Sequence, residues 1–188
     1  YKRIGNTDDF NQRHGWTVNR LVYNGWSDDI VIPYGRQMIC FASDSDSIFA
    51  LDRNSGDLIW RTEMNPLGHQ VNYILGIHND VLYAGGLETV IAYDLTGEGR
   101  MIWGADQMFD GKISTGRGVL TPDGLMIPVD QSIYHFSLST GPEPGKLLKR
   151  VGVDLGTGSP VGNLFSDGNS LWVNGGNRLY KLKNVDLE

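Results

Sequence analysis

Ala50-Leu51-Asp52-Arg53-Asn54-Ser55-Gly56-Asp57-Leu58-Ile59-Trp60 reappears as Ala92-Tyr93-Asp94-Leu95-Thr96-Gly97-Glu98-Gly99-Arg100-Met101-Ile102-Trp103. The two alanines are 42 positions apart. At that period, one supersecondary unit per repeat builds either a propeller blade or a helical array. Side-chain periodicity decides between them. No window of about 11 residues sustains the 3.6 spacing of an amphipathic helix, and the 25 glycines interrupt nearly every stretch.

Working outward from the repeat, each copy is preceded by a short apolar run, Met38 to Ala42 and Val81 to Ala84. The latter is followed by Gly85-Gly86-Leu87-Glu88, read as a turn. The same hairpin signal returns as Leu125 to Val129 with Ile133 to Phe136, and as Leu171 to Val173 with Leu179 to Leu182. Upstream of each hairpin lies another apolar strand ending in turn chemistry, as at Pro122-Asp123-Gly124 and Asp167-Gly168. Three strands then precede each Asp and Gly turn and a fourth follows it. Four antiparallel strands per unit of about 40 residues is a propeller blade.

The expected fold is therefore an all-β propeller with four recognisable blades or partial blades. They span approximately 30–62, 71–106, 113–151 and 159–188, after a lead-in segment, 1–29, that completes a preceding blade or adds a strand. The third unit carries His135, Ser137 and Gly141 at the Ala, Asp and Gly positions, with Pro142-Glu143-Pro144-Gly145 inserted and no terminal Trp. The fourth reaches Glu188 soon after its third strand. Propellers close with about 4–8 blades, so an open arc completed by further chain, or by self-association, is the expected assembly.

The roles of the repeated residues follow from their chemistry. Ala50 and Ala92 permit close sheet packing. Asp52 and Asp94 can accept N–H groups of the following turn, and Gly56 takes the left-handed position that closes it. Trp60 and Trp103 offer large apolar faces to a neighbouring sheet.

The pattern Ala-x-Asp-x-x-x-Gly-x-x-x-Trp resembles the tryptophan-docking repeat of the quinoprotein (PQQ-like) β-propeller family, over roughly residues 30–188. That resemblance implies two settings. Quinoprotein dehydrogenases hold pyrroloquinoline quinone over the propeller axis with calcium, a disulfide between adjacent cysteines and a catalytic Asp. Other members, such as an outer-membrane assembly lipoprotein, bind no quinone and act as scaffolds. The family's catalytic residues match no position here, and the single Cys40 has no partner for a disulfide. The resemblance thus implies a non-catalytic binding or scaffold module of a bacterial envelope or secreted protein, periplasmic or secreted, with no cofactor. The alternatives are a fragment of a PQQ-dependent oxidoreductase, with PQQ and calcium, and a structural spacer repeat.

Composition bounds the partners. A net charge of −6, with no basic run interleaved with aromatics, argues against nucleic acid. No apolar run nears the ~18 residues of a membrane-spanning helix. A protein or a small ligand on the propeller face is the expected partner.

Motif searches find no H-E-x-x-H, C-x-x-C, G-x-S-x-G or P-loop sequence. Gly156-Thr157-Gly158-Ser159-Pro160-Val161-Gly162 reads as a loop leading into a strand, and Asp44-Ser45-Asp46-Ser47 as a solvated turn. The histidines lack metal-ligand spacing. Asp29, His69, Asn72 and Arg117 sit at the entrances to innermost strands, where propeller channels gather polar groups. They are the candidate channel-facing residues.

Overall fold

The computed structural model describes residues 30–41, 47–63, 71–104, 108–138, 143–156, 158–168, 170–175 and 178–182. The lead-in segment, Asp29, His69, Gly141 and the Asp44 to Asp46 turn lie outside the described residues. All described regular structure is antiparallel sheet.

The first sheet runs β1 (Ile30–Tyr34), β2 (Gln37–Phe41), β3 (Ser47–Asp52), β4 (Leu58–Glu63). The second is β5 (Val71–His78), β6 (Val81–Gly86), β7 (Val90–Asp94), β8 (Arg100–Gly104). The third is β9 (Val119–Thr121), β10 (Gly124–Val129), β11 (Ser132–Phe136), β12 (Leu147–Gly152). The fourth has three strands, β13 (Leu164–Ser166), β14 (Leu171–Gly175) and β15 (Arg178–Leu182). Each sheet pairs its strands in chain order, so every connection within a sheet is a hairpin.

Three apolar layers lie between successive sheets. Ile39, Phe41, Ile48, Ala50 and Trp60 of the first pack on Ile74, Leu82, Ile91 and Tyr93 of the second. Tyr83, Val90 and Ala92 of the second meet Leu125, Ile127, Tyr134 and Phe136 of the third. Met126 and Ile133 of the third meet Leu164, Leu171 and Val173 of the fourth. Both faces of the second and third sheets are therefore covered. This explains why β6, β10 and β11 are buried along their whole length and read as continuous apolar runs instead of alternating ones.

The outer strands depart from strict alternation at one shared place. A bulge interrupts the pairing between Ala50 and Leu51, between Ala92 and Tyr93, and between His135 and Phe136. The extra outer-strand residue is Ile59, Ile102 or Leu148, each of them exposed. A bulge turns the residues that follow it, and the next position holds Trp60, Trp103 or Lys149.

Gly85 and Gly86, read from sequence as a turn, belong to β6. The reason is steric: the Tyr73 ring fills the space that a Cβ on Gly85 would need. Glycine there marks a close approach within a strand. Cys40 is half-buried, because its neighbours Ile39 and Phe41 take the face that meets the second sheet.

Candidate functional site

The repeated motif residues form a contact between neighbouring sheets. Asp52 Oδ1 accepts the N–H groups of Asn54 (2.8 Å) and Ser55 (3.0 Å), and Oδ2 accepts Arg36 Nε at 2.6 Å. The Ser55 and Asn54 backbone donors, with Arg36, hold its carboxyl below the usual range. Asp94 accepts Thr96 Oγ1 at 2.6 Å and Thr96 N–H at 2.9 Å, and its carboxyl is lowered likewise. Both carboxylates order the hairpin that follows them.

Each of those hairpins closes on a left-handed glycine, and in the second sheet this glycine is Gly99 (φ 75°). Gly99 N–H bonds Asp94 O, as Gly56 N–H bonds Asp52 O. Glu98, at φ 58°, is the additional residue in that turn.

Trp60 is 6% exposed, and its ring lies on the next sheet's turn, where a Cβ on Gly99 would sit 2.5 Å from Trp60 Cζ3. Trp103 meets Gly145 of the third sheet in the same way, with a Cβ there falling 2.7 Å from Trp103 Cε3. Gly145 is left-handed at φ 70°, so the proline-bearing insertion supplies the glycine for this contact. Ser137 stands where Asp52 and Asp94 do, bonding Glu143 O and accepting Lys146 N–H. Lys149, paired with His135, occupies the place of Trp60, which is paired with Ala50.

The two indoles differ in one respect. Trp60 Nε1 donates to Gln37 Oε1 at 2.9 Å. Gln37 is cross-strand from Asp52, and the position cross-strand from Asp94 is Val81. An apolar residue therefore stands where an acceptor is needed, and the buried Trp103 Nε1 has no hydrogen-bond partner.

Of the candidate channel residues, Asn72 and Arg117 are described. Asn72 is the extra residue of a bulge between Val71 and Tyr73. It is 1% exposed, and neither amide atom has a hydrogen-bond partner. Arg117 ties three sheets together: Nη2 donates to Ile74 O at 2.8 Å, and its backbone N–H donates to Asn163 Oδ1 at 2.7 Å. Its guanidinium also lies 5.9 Å from the Tyr73 ring centroid. Tyr73 is buried between these elements, and desolvation pushes its hydroxyl up to about 12.

Among the described residues, two connections between sheets are pinned by backbone bonds to neighbouring strands and turns. Residues 108–118 are held by Met108 N–H to Glu88 O, Ser114 N–H to Leu87 O and Thr115 N–H to Pro128 O. Residues 153–156 and 158–163 are held by Val153 N–H to Gln131 O, Val161 N–H to Asp130 O and Gln131 Nε2 to Gly158 O. The second connection frames a hollow of about 280 Å³ lined by Gln131, Val153, Asp154, Leu155 and Ser159. Asp154 caps its own loop by accepting Gly156 N–H at 2.7 Å. In sequence this segment reads as a loop leading into a strand; its pinning to the β10–β11 turn has no sequence signature.

No protein-family model and no curated protein matches the chain in sequence. Solved structures do match in fold. BamB from Moraxella catarrhalis superposes with a TM-score of 0.59 at 14% identity, over 81% of this chain and 44% of that one. The computationally designed Ika4 protein gives 0.55 at 16% identity, over 84% and 92%. The Neurospora crassa Pan2 WD40 domain gives 0.54 at 10% identity, over 77% and 41%. The chain thus spans less than half of the BamB and Pan2 chains it resembles. At these identities the likeness establishes the β-propeller fold. Among the described residues no helix is long and apolar enough to cross a membrane.

Proposed function

We propose that this chain is a non-catalytic propeller module that binds a protein through its loop face. The observation that carries the reading is the preformed hollow beside Asp154, whose walls are fixed by backbone bonds to the β10–β11 turn. Loops ordered before a partner arrives lose little entropy on binding, which is how rigid scaffolds present recognition surfaces. Trp60 and Trp103 are, in this reading, the docking side chains that keep the sheets in register beneath that face. The PQQ-like repeat class and a periplasmic or secreted setting belong to the same proposal.

A photo-crosslinking side chain placed at Asp154 should capture a partner in cells, whereas one at the outer-strand residue Ile102 should not. Equal capture at both positions, or none at Asp154, would remove the loop face as the binding surface. A small-ligand reading rests on the unpartnered amide of Asn72 beside the Tyr73–Arg117 cluster. Titration with pyrroloquinoline quinone and calcium separates the two, since stoichiometric binding would favour the oxidoreductase.

A further inference from the structure

Two sheets hold the walls of the hollow beside Asp154. From the third come Gln131, in the β10–β11 turn, and Val153, whose N–H bonds Gln131 O. Leu155 is anchored on the fourth. It is 7% exposed, Tyr180 OH donates to its carbonyl at 3.3 Å, and its side chain fills the space that a Cβ on Gly175 would need. The space enclosed, about 280 Å³, falls just below the roughly 300–1,000 Å³ of sites that take a whole small molecule. It suits one long side chain.

The polar groups at the wall have a single character. Gln131 Nε2 is used by Gly158 O at 2.8 Å, and Asp154 Oδ1 by Gly156 N–H at 2.7 Å. Asp154 Oδ2 and Gln131 Oε1 have no partner among the described residues. Both atoms are acceptors, and one is charged. The neighbouring Asp130 is already paired with Lys112 Nζ at 3.0 Å, so the unanswered charge is that of Asp154. An anion would be repelled here. A calcium ion takes about 6–8 oxygen ligands, and no group of three or more His, Cys, Asp or Glu side chains that could hold a metal is found among the described residues. A lysine or arginine side chain meets both demands. Its methylenes run along Val153 and Leu155, and its head carries donors only.

We propose, building on the protein-binding reading above, that this hollow receives a lysine or arginine side chain of the partner protein. The charged head sits on Asp154 Oδ2 and Gln131 Oε1. The chain's net charge of −6 favours the approach of a basic segment.

Titration of the ¹⁵N-labelled chain with N-acetyl-lysine amide and N-acetyl-arginine amide tests this, with N-acetyl-norleucine amide as the uncharged stem. The amide signals of Val153, Leu155 and Gly158 should move saturably with the two basic probes. Affinity should fall about tenfold for norleucine, and about tenfold for the basic probes in Asp154→Asn, which keeps the Oδ1 cap and removes the charge. Equal binding of norleucine, unchanged affinity in Asp154→Asn, or no movement at these signals overturns the proposal. A photo-crosslinking side chain at Pro160, next in the chain to Ser159, leaves the carboxylate in place and should lose its captured partner in Asp154→Asn. Capture undiminished by that substitution overturns the basic side chain and leaves the protein-binding reading standing. Absence of capture at both Pro160 and Asp154 removes that reading, and the proposal with it.

Discussion

Replacing each tryptophan by phenylalanine isolates what the indole N–H does. Trp60→Phe and Trp103→Phe remove similar ring area at equivalent positions, so the packing loss largely cancels in the comparison. The polar terms have opposite sign. Trp60→Phe loses the bond to Gln37 Oε1, at a net cost of about 1 kcal/mol. Trp103→Phe removes a buried donor without a partner, relieving a penalty of about 1 kcal/mol or more. Trp60→Phe should therefore be less stable than Trp103→Phe by about 2 kcal/mol. With a urea m-value of about 2 kcal/mol/M, the unfolding midpoints separate by about 1 M. Full truncation to alanine should cost about 3–5 kcal/mol at either site. Equal midpoints for the two phenylalanine variants, or the reverse order at constant m, would refute the assigned hydrogen bonding.

The turn glycines give a second contrast. Gly56→Ala meets open space and should cost only the left-handed backbone penalty of about 1–2 kcal/mol, whereas Gly99→Ala must also displace the Trp60 ring, adding about 1–3 kcal/mol. Chemical denaturation of both variants checks the difference. In acid, Asp52 and Asp94 have folded pKa values below their unfolded ones. Their contribution is complete above the ordinary carboxylate value of about 3.9 and is lost as the pH falls through the depressed folded values. Asp52→Asn should flatten the acid limb of the stability curve. At alkaline pH, burial raises the folded pKa of Tyr73 to about 12 and that of Tyr93 still higher. The stability they hold below the unfolded value of about 10 is lost as the pH rises through those folded values. Phenolate absorbance should show both tyrosines titrating late among the chain's eight, and Tyr73→Phe should remove one late step.

The strand order and the sheet repeat were legible because hairpin turns and apolar runs are local signals. The Asp52 and Asp94 turn contacts were legible for the same reason, since both donors lie within three residues of the acceptor. What escaped was non-local. Gly145 could not be identified from the third unit's sequence, where Gly141 aligned instead, because its role is set by the Trp103 ring of another sheet. Gly85 reads as turn chemistry until Tyr73 is placed against it. The outer-strand bulges shift each strand by one residue and leave no mark in composition. The place of Asn72 at a strand entrance points to the channel; that its amide is buried without a partner comes with the bulge at Val71 and Tyr73. The hollow beside Asp154 depends on backbone bonds between distant segments, for which residue types carry no pattern.

The central claim is that consecutive sheets stack with the tryptophan of one lying on the glycine turn of the next. Nuclear Overhauser spectroscopy tests it directly at Trp60 and Gly99, whose ring and backbone are in contact. The account predicts a strong cross-peak between the Trp60 Hζ3 proton and a Gly99 Hα, with that Hα moved upfield by the ring and returned to an ordinary shift in Trp60→Ala. Absence of the cross-peak in the folded chain, with Gly99 unshifted, would contradict the stacked-sheet arrangement.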